Sequence, residues 1–161
     1  MLAEGPKQRL YDESLLRWGV EFHGHGGPFM VIGLRMGLLA LEELNARGWF
    51  GLSCVAELKW APPDSCVLDG IQVSTGCTMG KRNIRVDERR NVISASFTQG
   101  GRGVSIMVSD EVLTRIRREM EEDNHDVGEE AREAENLRLM DKIAAMSMPE
   151  LFKVSWFECS K

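Results

Sequence analysis

Residues 22–38 read FHGHGGPFMVIGLRMGL, so that two of the chain's three histidines stand in a glycine-rich turn directly before a strongly apolar segment. Pro28 suits the first position of a helix, because its fixed φ is helical and its missing N–H would have no partner there. The apolar positions that follow predict a helix from residue 28 to about residue 47, with Gly48 as its C-terminal cap. Gly33 and Gly37 share one face of this helix, so another backbone can approach closely there.

Apolar side chains at helical spacing predict four further helices in the chain. The first of them carries Leu15, Trp18 and Phe22 on one face, and Asp12 or Ser14 lies near its start. The predicted ranges are about 7–22, 66–74, 110–121 and 131–146. Near the C-terminus, residues 147–150 match a capping box ahead of another short helical turn.

Strand patterns occupy the middle of the chain. The predicted strands span about residues 52–59, 83–87, 92–98 and 103–108. The last three are joined by connections short enough for hairpins, at residues 88–91 and 99–102. The sequence therefore predicts an α+β fold, in which an antiparallel meander packs with N-terminal and C-terminal helices.

Length and charge narrow the classes of function. The 161 residues fit one domain, 1–161, and the net charge of −5 argues against a general nucleic-acid or membrane-surface role. No apolar run approaches the roughly 20 residues that span a bilayer, and the N-terminus lacks a signal peptide. We therefore expect a cytoplasmic protein. In that compartment its four cysteines are expected to be free, catalytic or metal-bound.

His23 and His25 flank a single glycine and form the first candidate site. In an extended backbone, side chains two residues apart project to the same side, so both imidazoles can converge on one metal ion. Two alternatives remain open. A loop before a helix offers free N–H groups that favour an anion, and the two rings can simply cap neighbouring elements.

A second polar cluster begins about forty residues later. Cys66 lies near the start of a predicted helix, where the helix dipole is expected to lower the pKa of its thiol. Cys77 lies in a glycine-bounded turn that suits a ligand or a reactive thiol. The alternative for both is a small buried apolar residue. Asp64 and Asp69 can orient an imidazole or act as bases, and Asp64 can also cap the helix.

Two motifs together resemble a known family. Phe22-His23-Gly24-His25, followed by Gly-Pro-Phe and Gly-x-Arg-x-Gly, resembles the start of the FmdE family, which takes its name from formylmethanofuran dehydrogenase. The segment from Cys66-x-x-Asp-Gly-Ile-Gln to Thr75-Gly-Cys-Thr-x-Gly-Lys-x-Asn is similar to that family's second motif. The resemblance covers roughly residues 10–155.

The resemblance implies an α+β core domain, a homodimer and a transition-metal site. The implied ligands are His23, His25, Cys66 and Cys77, a nitrogen and sulfur set that suits zinc best and also nickel or iron. It further implies that Asp69, Gln72 and Lys81 support the metal ligands or contact a bound molecule. The candidate cofactor contacts are Gln72, Thr78 and Lys81. If the protein is an enzyme, Asp69 is the preferred proton carrier, as its catalytic residue.

The chain departs from the family pattern at two points. The first motif usually carries a cysteine where this chain has Gly27, so one thiol is missing from the implied site. The cysteine-rich C-terminal zinc-binding domain of longer relatives is expected to be absent.

The favoured function is an accessory or metal-handling role in molybdenum or tungsten enzyme metabolism, with a molybdoenzyme complex as a candidate partner. An enzyme of unassigned substrate is also compatible with the residues. Two alternatives stay open: a module that binds an anion or small molecule without metal, and a structural subunit of a larger complex.

Overall fold

The computed structural model describes residues 11–122 and 127–160. The predicted start of the first helix, near residue 7, lies outside these ranges. In chain order the helices and strands are α1 (Glu13–His23), α2 (Pro28–Leu44), β1 (Ser53–Leu58), α3 (Cys66–Thr75), β2 (Ile84–Glu88), β3 (Ser94–Gln99), β4 (Arg102–Val108), α4 (Asp110–Glu122), α5 (Glu129–Ala145), α6 (Met148–Leu151) and β5 (Phe152–Glu158).

The five strands form one mixed sheet in the order β2-β1-β3-β4-β5. Every neighbouring pair is antiparallel except β1 and β2, which are parallel. The α+β class and the mostly antiparallel sheet are confirmed. The predicted hairpin at residues 88–91 is wrong, because β1 lies between β2 and β3. The helix α3 connects β1 to β2, and such a helical connection is what a parallel pair requires.

The sequence pattern does not predict the C-terminal strand β5. The capping box ahead of it is present, since the Ser147 hydroxyl accepts the Glu150 N–H at 3.4 Å. After the single turn of α6 the chain becomes extended and pairs with β4 from Phe152 to Glu158. A strand at the edge of a sheet has weak burial alternation, so its sequence carries little signal.

The helix α2 forms the centre of the core. Fifteen of its 17 residues are buried, as expected for a helix that is apolar on every side. It packs against β3 and β4 on one side and against α1, α3 and α5 elsewhere. Pro28 occupies the first turn as predicted, but the helix ends at Leu44. Asn45, with φ 49°, adopts the left-handed cap conformation in place of Gly48.

Glycines let α2 and α3 cross with their backbones in contact. A Cβ atom on Gly33 would overlap the Val67 carbonyl, and one on Gly70 would overlap the Met30 carbonyl. Gly37 likewise faces the Ser74 hydroxyl. The predicted close approach of another backbone is confirmed at Gly33, with Gly70 as the matching residue on α3, whereas Gly37 makes room for the Ser74 and Thr75 side chains.

A buried arginine joins α2 to the C-terminal part of the fold. The Arg35 guanidinium donates to the carbonyls of Ile143 at 2.7 Å and Met146 at 2.6 Å. These carbonyls lie at the end of α5, where the last carbonyls of a helix need partners from outside it. The Ile143 carbonyl also accepts the Met146 N–H at 3.3 Å, and Arg35 supplies a further donor to both carbonyls of this helix end.

We expect Gly70→Ala to destabilise the protein by about 2–3 kcal/mol, because its methyl group would meet the α2 backbone, which cannot rotate away. In a domain of this size that corresponds to a fall of about 5–10 °C in Tm. Gly80→Ala is the matched control, since its Cβ would enter open space. Thermal unfolding measures both variants, and equal Tm values for the two would contradict the close crossing.

Candidate functional site

A cleft of about 320 Å³ lies between the end of α1, the start of α3 and the segment that follows β1. His23, Cys66 and Asp69 line it together with the exposed side chains of Trp60 and Met79. Gly24, with φ 93°, ends α1 directly after His23. The fold therefore brings the histidine motif and the first half of the cysteine motif to the same place.

His23 and Asp69 form a hydrogen-bonded pair in the cleft. The His23 Nδ1 lies 2.6 Å from the Asp69 Oδ2, and the His23 side chain is only 8% exposed. With Nδ1–H donating to the carboxylate, Nε2 carries a lone pair. That Nε2 is buried and has no hydrogen-bond partner within the described residues. Asp69 thus orients an imidazole, one of the two roles predicted for it.

His25 stands beside His23 with its ring centroid 4.4 Å away. Its side chain is exposed, and its Nδ1–H donates to the neighbouring Gly26 carbonyl at 3.1 Å. The two imidazoles are therefore close together, but not through the extended backbone that the spacing argument assumed, because His23 ends α1 and Gly24 is left-handed. His25 differs from His23 in being held by its own turn and open to solvent.

Cys66 is half-buried at the first position of α3. Burial raises the pKa of its thiol, and the nearby negative charge of Asp69 raises it further. The predicted lowering of this pKa is wrong, because these two effects exceed the pull of the helix N-terminus. The thiol is therefore protonated at neutral pH unless a metal ion displaces the proton.

Cys77 lies in the core and does not line the cleft. Its thiol donates to the Leu52 carbonyl at 3.6 Å, and burial raises the pKa of the thiol. The four cysteines of the chain, the remaining two being Cys54 and Cys159, are all free. The surroundings of Cys77 match the alternative given for it, a small buried residue.

The predicted cofactor contacts mainly hold the loop after α3. Gln72 Oε1 accepts the Met79 N–H at 3.1 Å, and the Thr78 hydroxyl accepts the Lys81 N–H at 3.3 Å. The Lys81 ammonium donates to the Gly76 carbonyl. Of the three predicted contact residues, only Gln72 lines the cleft.

Two residues of the second motif region have roles that the sequence did not assign. Asp64 is buried, and its carboxylate accepts a hydrogen bond from the Arg117 guanidinium at 2.9 Å. It therefore does not cap α3, and it does not act as a base in the cleft. Asn83 Oδ1 accepts the Thr78 N–H at 2.8 Å and closes the loop. The only sequence signal for Asn83 is its place at the end of the motif. Trp60, a wall of the cleft, had no signal beyond its place before a proline pair.

Residues 11–122 and 127–160 contain no group of three or more His, Cys, Asp or Glu side chains already close enough to hold a metal ion. None of the described helices is both long enough and apolar enough to cross a membrane.

Comparison with known proteins agrees with the two motifs. A relative from Archaeoglobus fulgidus, named "Probable S-adenosyl-L-methionine-binding protein", is 35% identical over 100 residues, which are 60% of this chain and 27% of that protein. The match thus spans a minor part of the relative's length. The family described as "FmdE, Molybdenum formylmethanofuran dehydrogenase operon" matches residues 22–153. Because this match covers most of the chain and includes both motifs, the chain belongs to the FmdE family.

Proposed function

We propose that the cleft binds one transition-metal ion through His23, His25 and Cys66. The observation that supports this most directly is the buried, unpartnered Nε2 of His23, whose other ring nitrogen is held by Asp69. Metal-binding histidines commonly donate their second N–H to a carboxylate, which fixes the tautomer and the ring orientation. Buried polar atoms normally have a hydrogen-bond partner, and this Nε2 has none among the described residues, which is what a metal-binding nitrogen without its ion would show.

The donor set fits zinc best, and nickel or iron can also bind such a set. Because the three side chains are farther apart than a bound ion requires, His25 and Cys66 must approach His23 more closely on binding. Glycines on both sides of His25 allow its turn to move at low cost. Cys77 remains a ligand predicted from the family resemblance, but its position in the core, away from the cleft, does not support that role.

A bound metal ion would supply a Lewis acid with a position open to water or substrate. Asp69 would keep His23 in the ligating tautomer. Its carboxylate is 34% exposed, so it can also accept a proton from a molecule in the cleft. The role of Asp69 as proton carrier remains part of the proposal.

The family description favours an accessory or metal-handling role in molybdenum or tungsten enzyme metabolism. In that role the protein would present its metal site to a molybdoenzyme complex. A homodimer and a cytoplasmic location belong to the same proposal. The metal-binding part of it also needs His25, which stands beside His23 but does not itself line the cleft.

We expect protein purified without a tag or added metal to contain zinc, nickel or iron in near-stoichiometric amount. The double variant His25→Ala/Cys66→Ala should lose it, and Asp69→Asn should weaken metal affinity by about 10–100-fold. Elemental analysis and competition with a chromophoric chelator measure both effects. Cys159→Ala, which removes an exposed thiol, is the control. Unchanged metal content in the double variant would refute the proposal. Metal content of Cys77→Ala, measured in the same way, shows whether the fourth predicted ligand takes part.

Gly27→Cys should strengthen metal binding by about tenfold or more, because it adds a thiolate to an incomplete ligand set. A Cβ at Gly27 would lie 3.5 Å from His25 Cε1, which is an ordinary contact, and the backbone there is extended. Gly27→Ser is the control of equal size. Chelator competition at fixed pH gives the affinities. If Cys and Ser behave alike, the thiol does not reach the metal.

The name of the Archaeoglobus relative favours a second candidate, an S-adenosyl-L-methionine-like ligand bound without metal. Trp60 and Met79 would then provide apolar walls for it in the cleft. Calorimetric titration with S-adenosyl-L-methionine distinguishes the candidates. Equal affinity in metal-loaded and chelator-treated protein, lost in Trp60→Ala, would favour this ligand. If S-adenosyl-L-methionine binds to neither sample, this second candidate is refuted and the metal proposal is the one that remains.

A further inference from the structure

A second hollow, of about 470 Å³, lies where α2 stops short of the end of the sheet. Along β5, Phe152 is buried and Val154 is half-buried on the face that α2 covers. Trp156 follows on the same face, but α2 has already ended at Leu44. The Trp156 side chain is therefore 63% exposed, although its strand is fully paired with β4.

The exposed indole is held in a fixed orientation. Its Nε1–H donates to the Glu43 carboxylate at 2.9 Å. This bond spans from α2 to β5 and ties the edge of the ring while leaving most of the side chain open to solvent. An exposed aromatic ring that is already positioned loses little conformational entropy when a ligand contacts it.

The charged groups of the hollow favour a positive ligand. Glu43 and Glu158 both line it. The Glu158 main chain pairs with Arg102 in the sheet, but its carboxylate has no hydrogen bond or ion pair within the described part of the chain. Arg102 also lines the hollow, but its guanidinium donates to the Leu44 carbonyl at 2.7 Å. It therefore serves the C-terminal end of α2, where carbonyls lack helical partners and attract a cation. Its positive charge stays in the hollow beside the two carboxylates, so the lining keeps an excess of one negative charge. The Glu43 carboxylate already accepts the indole N–H, which leaves Glu158 as the carboxylate without a partner in the described part of the chain.

We infer that this hollow binds a small organic cation of the quaternary ammonium or alkylammonium class. Such a cation is attracted to the face of an indole, and tryptophan is the best of the aromatic side chains for this contact. Glu158 adds a direct charge interaction, and Glu43 contributes both charge and the orientation of the ring. The net charge of −5 attracts cations over a longer range. The inference is independent of the metal proposal.

The test is a titration of the full chain with choline, followed through the indole N–H signals of the four tryptophans by nuclear magnetic resonance. We expect the Trp156 signal to shift, with a Kd on the order of millimolar for so small a ligand. The uncharged analogue 3,3-dimethylbutan-1-ol has the same shape as choline. It should bind at least tenfold more weakly, and equal binding of the two would overturn the inference.

Three variants locate the effect. Glu158→Gln should weaken choline binding by about threefold to tenfold, in line with one partly exposed charge and a cation–π contact. Glu43→Gln keeps an oxygen that accepts the indole N–H, so it isolates the charge of Glu43 from its hold on the ring. Trp156→Leu should abolish the binding, which for this variant is read by calorimetry.

Matched controls separate this hollow from other surfaces. Glu42→Gln removes the charge next to Glu43 on the exposed side of α2, and Trp60→Phe alters the exposed tryptophan of the cleft. Both should bind choline like the wild type. If Glu42→Gln weakens binding as much as Glu158→Gln does, only the overall charge matters and the site is refuted. Thermal unfolding of each variant confirms that the fold is retained, and His25→Ala/Cys66→Ala must leave choline binding unchanged.

Discussion

The close crossing of α2 and α3 is the contact on which the rest of the structure depends. Gly33 on α2 and Gly70 on α3 bring the two backbones together without intervening side chains. This contact fixes α3 against the centre of the core, and α3 carries Cys66 and Asp69. Because α2 begins directly after the histidine turn, the same crossing sets the position of α3 relative to His23. The cleft is therefore a product of helix packing.

The ligands proposed for the metal differ in how firmly they are held. His23 ends a helix and is bound to Asp69, so its position is fixed before any ion arrives. Cys66 begins a helix but must release a proton from a thiol whose pKa is raised. His25 is held by the glycine turn. One preset ligand with two adjustable ones is compatible with a protein that accepts and releases an ion.

The elements that the sequence predicted best are those with strong local patterns. The apolar α2, its Pro28 start and the glycine face follow from side-chain periodicity and backbone chemistry. The parallel pairing of β1 with β2 could not be predicted, because it depends on where α3 packs after it forms. The same holds for Asp64, whose partner Arg117 lies 53 residues away. That His23, Cys66 and Asp69 share one site could be predicted only from the resemblance to a family. Their distance in space is set by the helix crossing, which the sequence pattern does not show.

Arg35 has a consequence for the order in which the chain can fold. Its two acceptors, at Ile143 and Met146, lie 108 and 111 residues further along the chain. During synthesis α2 therefore leaves the ribosome long before the carbonyls that satisfy its guanidinium exist. Until then the charge must stay hydrated, so the central helix cannot complete its burial. Closing so long a loop is entropically costly, and proteins rich in such distant contacts fold slowly. The nascent N-terminal part thus exposes an apolar helix at least until residues 143–146 have been made, and chaperones that recognise such segments would have access to it during that time.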